Sequence, residues 1–220
     1  MRILVIGASG GIGAALAEAA RVRGDQVTAL ARTTDGLDLR DEASVAATLG
    51  ALEGVFDRIL VATGALEIDG RGPEKSLRGL SALALTQQFA LNAVGPALVL
   101  KHAVGLLPRD RPAVFAALSA RVGSIGDNRA GGWYSYRAAK AALNQLIHTG
   151  AIELARTHPH LACVTLHPGT VLTPLTAAYA GRHPTVTADA AAANLWRVIE
   201  GLTATETGGF FDWTGARVPW

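Results

Sequence analysis

The chain has 220 residues, of which 50% are hydrophobic and 17% charged, enough apolar mass for one sizeable core. Its formal net charge is only +2, with Lys and Arg scattered along it, which excludes a nucleic-acid footprint. The lone cysteine, Cys163, excludes an internal disulfide and any Cys-based metal site; no signal peptide and no uninterrupted apolar run of about 18 residues stands out.

The first apolar run, "RILVIG" (2–7), reads as a strand and leads into "GASGGIGAALAEAA", where the spacing predicts a helix over 11–23. A second strand, "QVTALA" (26–31), ends on Ala31 with Arg32 next, and "LDL" (37–39) reads as a minor further strand. A helix over 41–52, a strand "RILVAT" (58–63) and a long helix over 76–107 follow. Then come a strand "AVFAALS" (113–119), a helix over 134–156, a strand "LACVTLH" (161–167), a helix over 187–202 and a strand "GGFFDW" (208–213). The strand runs are apolar throughout and do not alternate, as expected when helices cover both faces of a parallel sheet. The repetition predicts one α/β domain over 1–220: a doubly wound (Rossmann), mostly parallel sheet of about seven strands with helices on both faces.

Two features of this frame carry chemistry. Gly7, Gly11 and Gly13 give G-x-x-x-G-x-G between a strand and a helix. Glycines there permit a tight turn and close approach of backbone to a pyrophosphate, with the helix N-terminus facing the anion. At the end of the second strand, where an acid would bind the 2′-hydroxyl of NAD, the chain reads "ALARTT". Ala31 does not repel a 2′-phosphate and Arg32 can hold it with charge-assisted bonds, so NADP(H) is favoured over NAD(H). The second feature is "WYSYRAAK": Tyr136 stands four residues before Lys140, on one helical face, whereas Tyr134 does not share that face. A fixed ammonium beside a phenol is expected to lower its pKa and fit it for proton transfer to a substrate oxygen.

Together these features resemble the short-chain dehydrogenase/reductase family, over nearly the whole chain and with its motifs in order. The cofactor loop matches "IGASGGIG", with Gly7, Ser9, Gly10, Gly11, Ile12 and Gly13. Arg32 and Thr33 follow the second strand, Asp38 and Leu39 match the family's adenine contact, and Ala62, Thr63 and Gly64 stand in its degenerate N-N-A-G position. Asn92 matches the structural asparagine of the fourth helix, Tyr136 and Lys140 the catalytic Tyr-x-x-x-Lys, and Pro168, Gly169, Thr170, Val171 and Thr173 lie in the P-G-x-x-x-T motif. The stretch "GSIGDNRAGGWY" and the closing "WTGARVPW" are similar to the C-factor/sniffer-like branch of carbonyl reductases.

The resemblance implies reversible hydride transfer between NADP(H) and a small aldehyde, ketone or alcohol. Tyr136 would be general acid/base, Lys140 would tune it and bond the nicotinamide ribose, and Asn92 would hold a relay water. Thr170 and Thr173 would hold carboxamide and phosphates, with Val171 against the nicotinamide. One departure is plain: Ala120 stands where the family has its catalytic serine. Ser119, if the strand end bulges, or Ser124, reaching back from beyond the turn, are the candidate replacements, and neither is the third possibility. Two other functions use the same fold: a non-catalytic NADP(H)-sensing or signalling protein, and a sugar-nucleotide epimerase or dehydratase, for whose substrate domain the residues after "HPG" leave little room. A soluble, cytoplasmic homodimer or homotetramer is expected, without metal, nucleic-acid or membrane partners. The six histidines show no metal spacing, with His158 and His160 placed in a surface turn and His102 and His148 on helices. The segment 174–188, with Tyr179, is expected to fold over the substrate as a short lid.

Overall fold

The computed structural model describes residues 1–173 and 185–220; Tyr179 and most of the expected lid lie outside the described residues. In chain order the elements are β1 (Arg2–Ile6), α1 (Gly11–Val22), β2 (Gln26–Leu30), a single turn α2 (Arg32–Asp35), α3 (Glu42–Gly50) and β3 (Arg58–Val61). They continue with α4 (Ala82–Phe89), α5 (Gly95–Ala103), β4 (Ala113–Leu118), α6 (Tyr134–Leu154), β5 (Leu161–His167), α7 (Ala188–Gly201) and β6 (Phe210–Asp212).

The strands form one sheet in the order β2-β1-β3-β4-β5-β6, with every pair parallel. Alternation along each strand splits the core in two. Leu4, Ile6, Ile59, Val61, Phe115, Ala117 and Cys163 face one layer, packed under Val45 and Leu49 of α3, Val99 of α5 and Leu143 and Ile147 of α6. Ile3, Val5, Leu60, Val114, Ala116, Val164 and Leu166 face the other, under Leu16 and Ala20 of α1 and Leu195, Trp196 and Ile199 of α7. Both faces are covered, which is why these strands read as continuous apolar runs. Each such Leu, Ile or Val contributes roughly 1.5–3 kcal/mol on burial.

Three expectations are corrected. Among the described residues the sheet has six strands: the run 37–39 is loop, and its leucines are apolar because Leu37 and Leu39 pack into the α3–α6 layer. The helix expected over 76–107 begins only at Ala82, where Ser81 caps it by accepting a bond from Ala84 N, and a π turn over Ala90–Val94 separates α4 from α5. His158 is buried rather than at the surface, its Nδ1 2.9 Å from Thr157 Oγ1. The helical run Ala82–Leu106 is long and apolar enough to cross a membrane by length and composition. Its Ala93, Val99, Leu100 and Ala103 are instead part of the core.

Candidate active site

Strand order reverses between β1 and β3, and a crevice opens there beyond the carboxyl ends of the strands, where such sheets bind ligands. It holds a cavity of about 350 Å³. Its first wall is the turn after β1. Gly7 has φ +88, and a Cβ on it would stand 2.8 Å from Thr63 Oγ1 and 2.9 Å from the Ala62 carbonyl carbon. A Cβ on Gly13 would stand 2.2 Å from Gly7 O. Only glycine at both positions lets the turn fold this tightly between β3 and α1. No side chain caps the start of α1 and no acid lies in its first turn, so its free N–H groups and positive dipole end are left to an anion.

The same cavity gathers Ser9 and Gly10 from this turn, Ala31, Arg32 and Thr33 after β2, Asp38 and Leu39 after α2, and Ala62, Thr63 and Gly64 after β3. The turn carrying Arg32 is pinned by Asp35, whose carboxylate accepts a 2.8 Å bond from Ala31 N. Arg40, which the motifs did not single out, also lines the cavity. It grips Asp38 through Nε at 3.0 Å and Nη2 at 2.7 Å and holds that carboxyl down to about 2. Gly11, Ile12 and Gly13 stand behind the turn. The segment after β5 returns to it: a Cβ on Gly11 would meet Thr173 Cγ2 at 2.9 Å. In that segment Gly169 has φ +83 and packs on Trp213, Thr170 is exposed, and Val171 is buried in a bridge to Val186. Pro168 joins it to β5.

Tyr136 and Lys140 lie one turn apart at the start of α6, with Lys140 Nζ 5.8 Å from the Tyr136 ring centroid. The ammonium is buried and donates a 2.9 Å bond to Leu118 O at the end of β4. Burial pushes it down to about 7. Burial also pushes the Tyr136 phenol up, the reverse of the lowering expected from its neighbour. Asn92 sits fully buried in the π turn, a feature often found at functional sites. Its Nδ2 donates to Ala65 O at 2.9 Å and to Gln88 Oε1 at 2.6 Å, and its Oδ1 accepts from Ala65 N at 3.2 Å. A Cβ on Gly64 would stand 2.9 Å from Asn92 Oδ1 and 3.4 Å from Lys140 Nζ, so asparagine and lysine meet over the glycine that also walls the cavity.

The serines are less open. Ser124 is buried and its Oγ accepts a 3.1 Å bond from Asp127 N. Ser119 is buried too, with no hydrogen-bond partner on Oγ. The bulge that Ser119 would need is absent: Ser119 N continues the ladder to Leu166 O at 2.7 Å, and alternation turns its side chain to the α6 layer with Phe115 and Ala117. The positions that sequence reasoning passed over are Arg40, Gln88 and Glu74. Only Gln88 carried a local signal, four residues before Asn92 on a helix.

A model of the short chain dehydrogenase family matches residues 1–182. The 1-hydroxy-2-glutathionyl-2-methyl-3-butene dehydrogenase of Rhodococcus sp. (strain AD45) is 30% identical, over 99% of this chain and 99% of the relative. The solved structure of a putative short-chain dehydrogenase/reductase from Burkholderia multivorans with bound NADP superposes with TM-score 0.81 at 26% identity, covering 100% of this chain and 99% of the other. Carbonyl reductase Sniffer of D. melanogaster shares the fold at TM-score 0.82 and 20% identity, with 100% of this chain and 99% of that one covered.

Proposed function

The chain belongs to the short chain dehydrogenase family of oxidoreductases, and we propose that within it this protein uses NADP(H) to reduce a small aldehyde or ketone to an alcohol, or to run the reverse. The observation that carries the reading is the meeting of Lys140 and Asn92 over Gly64, which joins the Tyr136 end of α6 to the nucleotide-sized crevice. The names of the relatives speak of both directions, alcohol oxidation for the Rhodococcus enzyme and carbonyl reduction for Sniffer, which are one reaction run opposite ways.

The residues fit a nicotinamide dinucleotide phosphate. The cradle at Gly7 and Gly13 is one that a Cβ would fill, and the uncapped start of α1 would take the pyrophosphate. Arg32 would take the 2′-phosphate, Asp38 and Leu39 the adenine, and Thr170 and Thr173 the nicotinamide end. When bound, NADPH supplies the hydride. Tyr136 gives its proton to the carbonyl oxygen as negative charge develops there. Lys140, held by Leu118 O, stands one turn from the phenol and in its protonated form stabilises the phenolate once the proton has left. Asn92 fixes the loop at Ala65 from both sides and so fixes Gly64 under Lys140.

One observation favours a second reading, cofactor sensing without turnover: no serine hydroxyl stands open where Ala120 replaces the family's serine. Absorbance at 340 nm with NADPH and a panel of small aldehydes and ketones separates the two. Cofactor consumption proportional to enzyme supports the reductase; tight NADPH binding with no consumption across the panel supports sensing. We also read the chain as a homodimer or homotetramer, because Leu83 and Val94 of the α4–α5 run and Leu146 and Ile152 of α6 are exposed apolar residues on helices of one layer.

A further inference from the structure

The phenol of Tyr136 rides on the first turn of α6, where N–H groups have no partner within the helix and the backbone is loosest. The chain reaches that turn through three successive left-handed residues, Gly131, Gly132 and Trp133, with φ of 63, 66 and 54. Two of them are glycines, but Trp133 is strained there, and such a conformation persists only where its surroundings over-determine it. Arg137 supplies one constraint, donating from Nε to Gly132 O at 2.9 Å and from Nη2 to Gly131 O at 3.1 Å.

Glu74 supplies the other, from the connection between β3 and α4. Its backbone oxygen accepts a 2.6 Å bond from Trp133 N. Its carboxylate accepts from Ser135 N at 3.1 Å through Oε2 and from the Ser135 hydroxyl through Oε1. The side chain is buried, 9% exposed, although most residues around it are not. Burial pushes the carboxyl up, the Ser135 bonds pull it down, and the net is a pKa below the ordinary glutamate value. An anion at this place also meets the positive end of the α6 dipole. Tyr136 is the next residue after Ser135. Glu74, Ser135, Tyr136 and Gln88 line one small cavity of about 10 Å³, and Gln88 bonds Asn92 on its far side.

We propose that Glu74 is a positioning residue of the active site: it clamps the strained start of α6 and thereby sets where the Tyr136 phenol stands. The proposal rests on Tyr136 being the acid of the proposed function and adds to it a residue from a distant part of the chain. The test compares wild type with Glu74→Ala, which removes the carboxylate's hold on Ser135 and leaves the backbone bond to Trp133 N, and Glu74→Gln, which keeps an acceptor for Ser135. Three quantities are read: kcat, NADPH Kd, and amide hydrogen exchange over 134–138. The expected result is a kcat about tenfold to a hundredfold lower in Glu74→Ala, an NADPH Kd within about threefold of wild type, and faster exchange confined to 134–138. Glu74→Gln should recover most of both kcat and protection, and Ser135→Ala added to Glu74→Ala should cost little more, because the two act as a unit. Wild-type kcat in Glu74→Ala overturns the proposal, as does Glu74→Gln no better than Glu74→Ala, or a uniform loss of protection and NADPH binding in both variants. If the wild type turns over no carbonyl substrate, the proposed function fails on its own account. Exchange over 134–138 then decides the clamp, acceleration in Glu74→Ala supporting it and an unchanged rate overturning it.

Discussion

Lys140 is 2% exposed and its ammonium is pushed down to about 7 from an ordinary 10.5, so the folded chain sheds that proton near neutrality. Between about pH 7 and 10.5 the unfolded chain holds a proton on Lys140 that the folded chain lacks, so raising the pH favours folding. Cys163 works the other way above about 9, because burial pushes its thiol up to about 12 and only the unfolded chain ionises it earlier. The expected outcome is a Tm of the cofactor-free protein that climbs from pH 7 to pH 8.5, and a flatter climb in Lys140→Met; parallel curves would assign the dependence to other groups. At the cofactor end, Arg32→Ala should weaken NADPH by about tenfold and barely touch NADH, since it removes a charge-assisted bond at an open, screened site. Ala31→Asp should turn preference towards NADH. Titration of both cofactors checks this, and equal wild-type affinities would contradict it. At this scale the sequence was legible where the geometry lies within one helical turn or one tight loop: Tyr136 one turn from Lys140, Gly7 against Gly13. It was silent on Glu74, whose partner Ser135 lies 61 residues on, and it misjudged the direction of the Tyr136 shift, because burial is a property of the packed fold.

The elements around the site are broken where they touch it. A regular α helix over 82–103 would carry Asn92 without interruption; the π turn over Ala90–Val94 presents it to Ala65 and Gln88 instead. Apolar spacing cannot show this, since one extra residue in a turn leaves the run apolar on both sides. The same limit explains the run 37–39, whose leucines are buried without a strand partner. Gly64→Ala tests the junction of β3, α6 and the π turn, because its Cβ would press on Asn92 Oδ1 at 2.9 Å and Lys140 Nζ at 3.4 Å. The expected outcome is a loss of turnover of about tenfold or more and a stability loss of about 1–3 kcal/mol from overpacking, read by kcat and denaturant unfolding. Wild-type values for both would mean that the junction yields freely.

Six parallel strands with a reversal between β1 and β3 place these parts beyond the carboxyl ends of one sheet; the doubly wound, mostly parallel class was readable from unalternating runs separated by helices, whereas the strand order was not. What the runs do not show is which outer helical faces stay bare. The exposed Leu83, Val94, Leu146 and Ile152 predict self-association. Light scattering at micromolar concentration should give a dimer or tetramer, and the paired substitutions Leu146→Asp and Ile152→Asp should shift it towards monomer; a wild-type monomer would contradict the reading. The whole account turns on Tyr136 as the proton donor. The most direct measurement is kcat for NADPH-dependent carbonyl reduction in Tyr136→Phe, which keeps the ring and removes the proton, alongside its NADPH Kd. The account predicts turnover lower by a factor on the order of 10² or more with cofactor affinity retained; near wild-type turnover in that variant would contradict it.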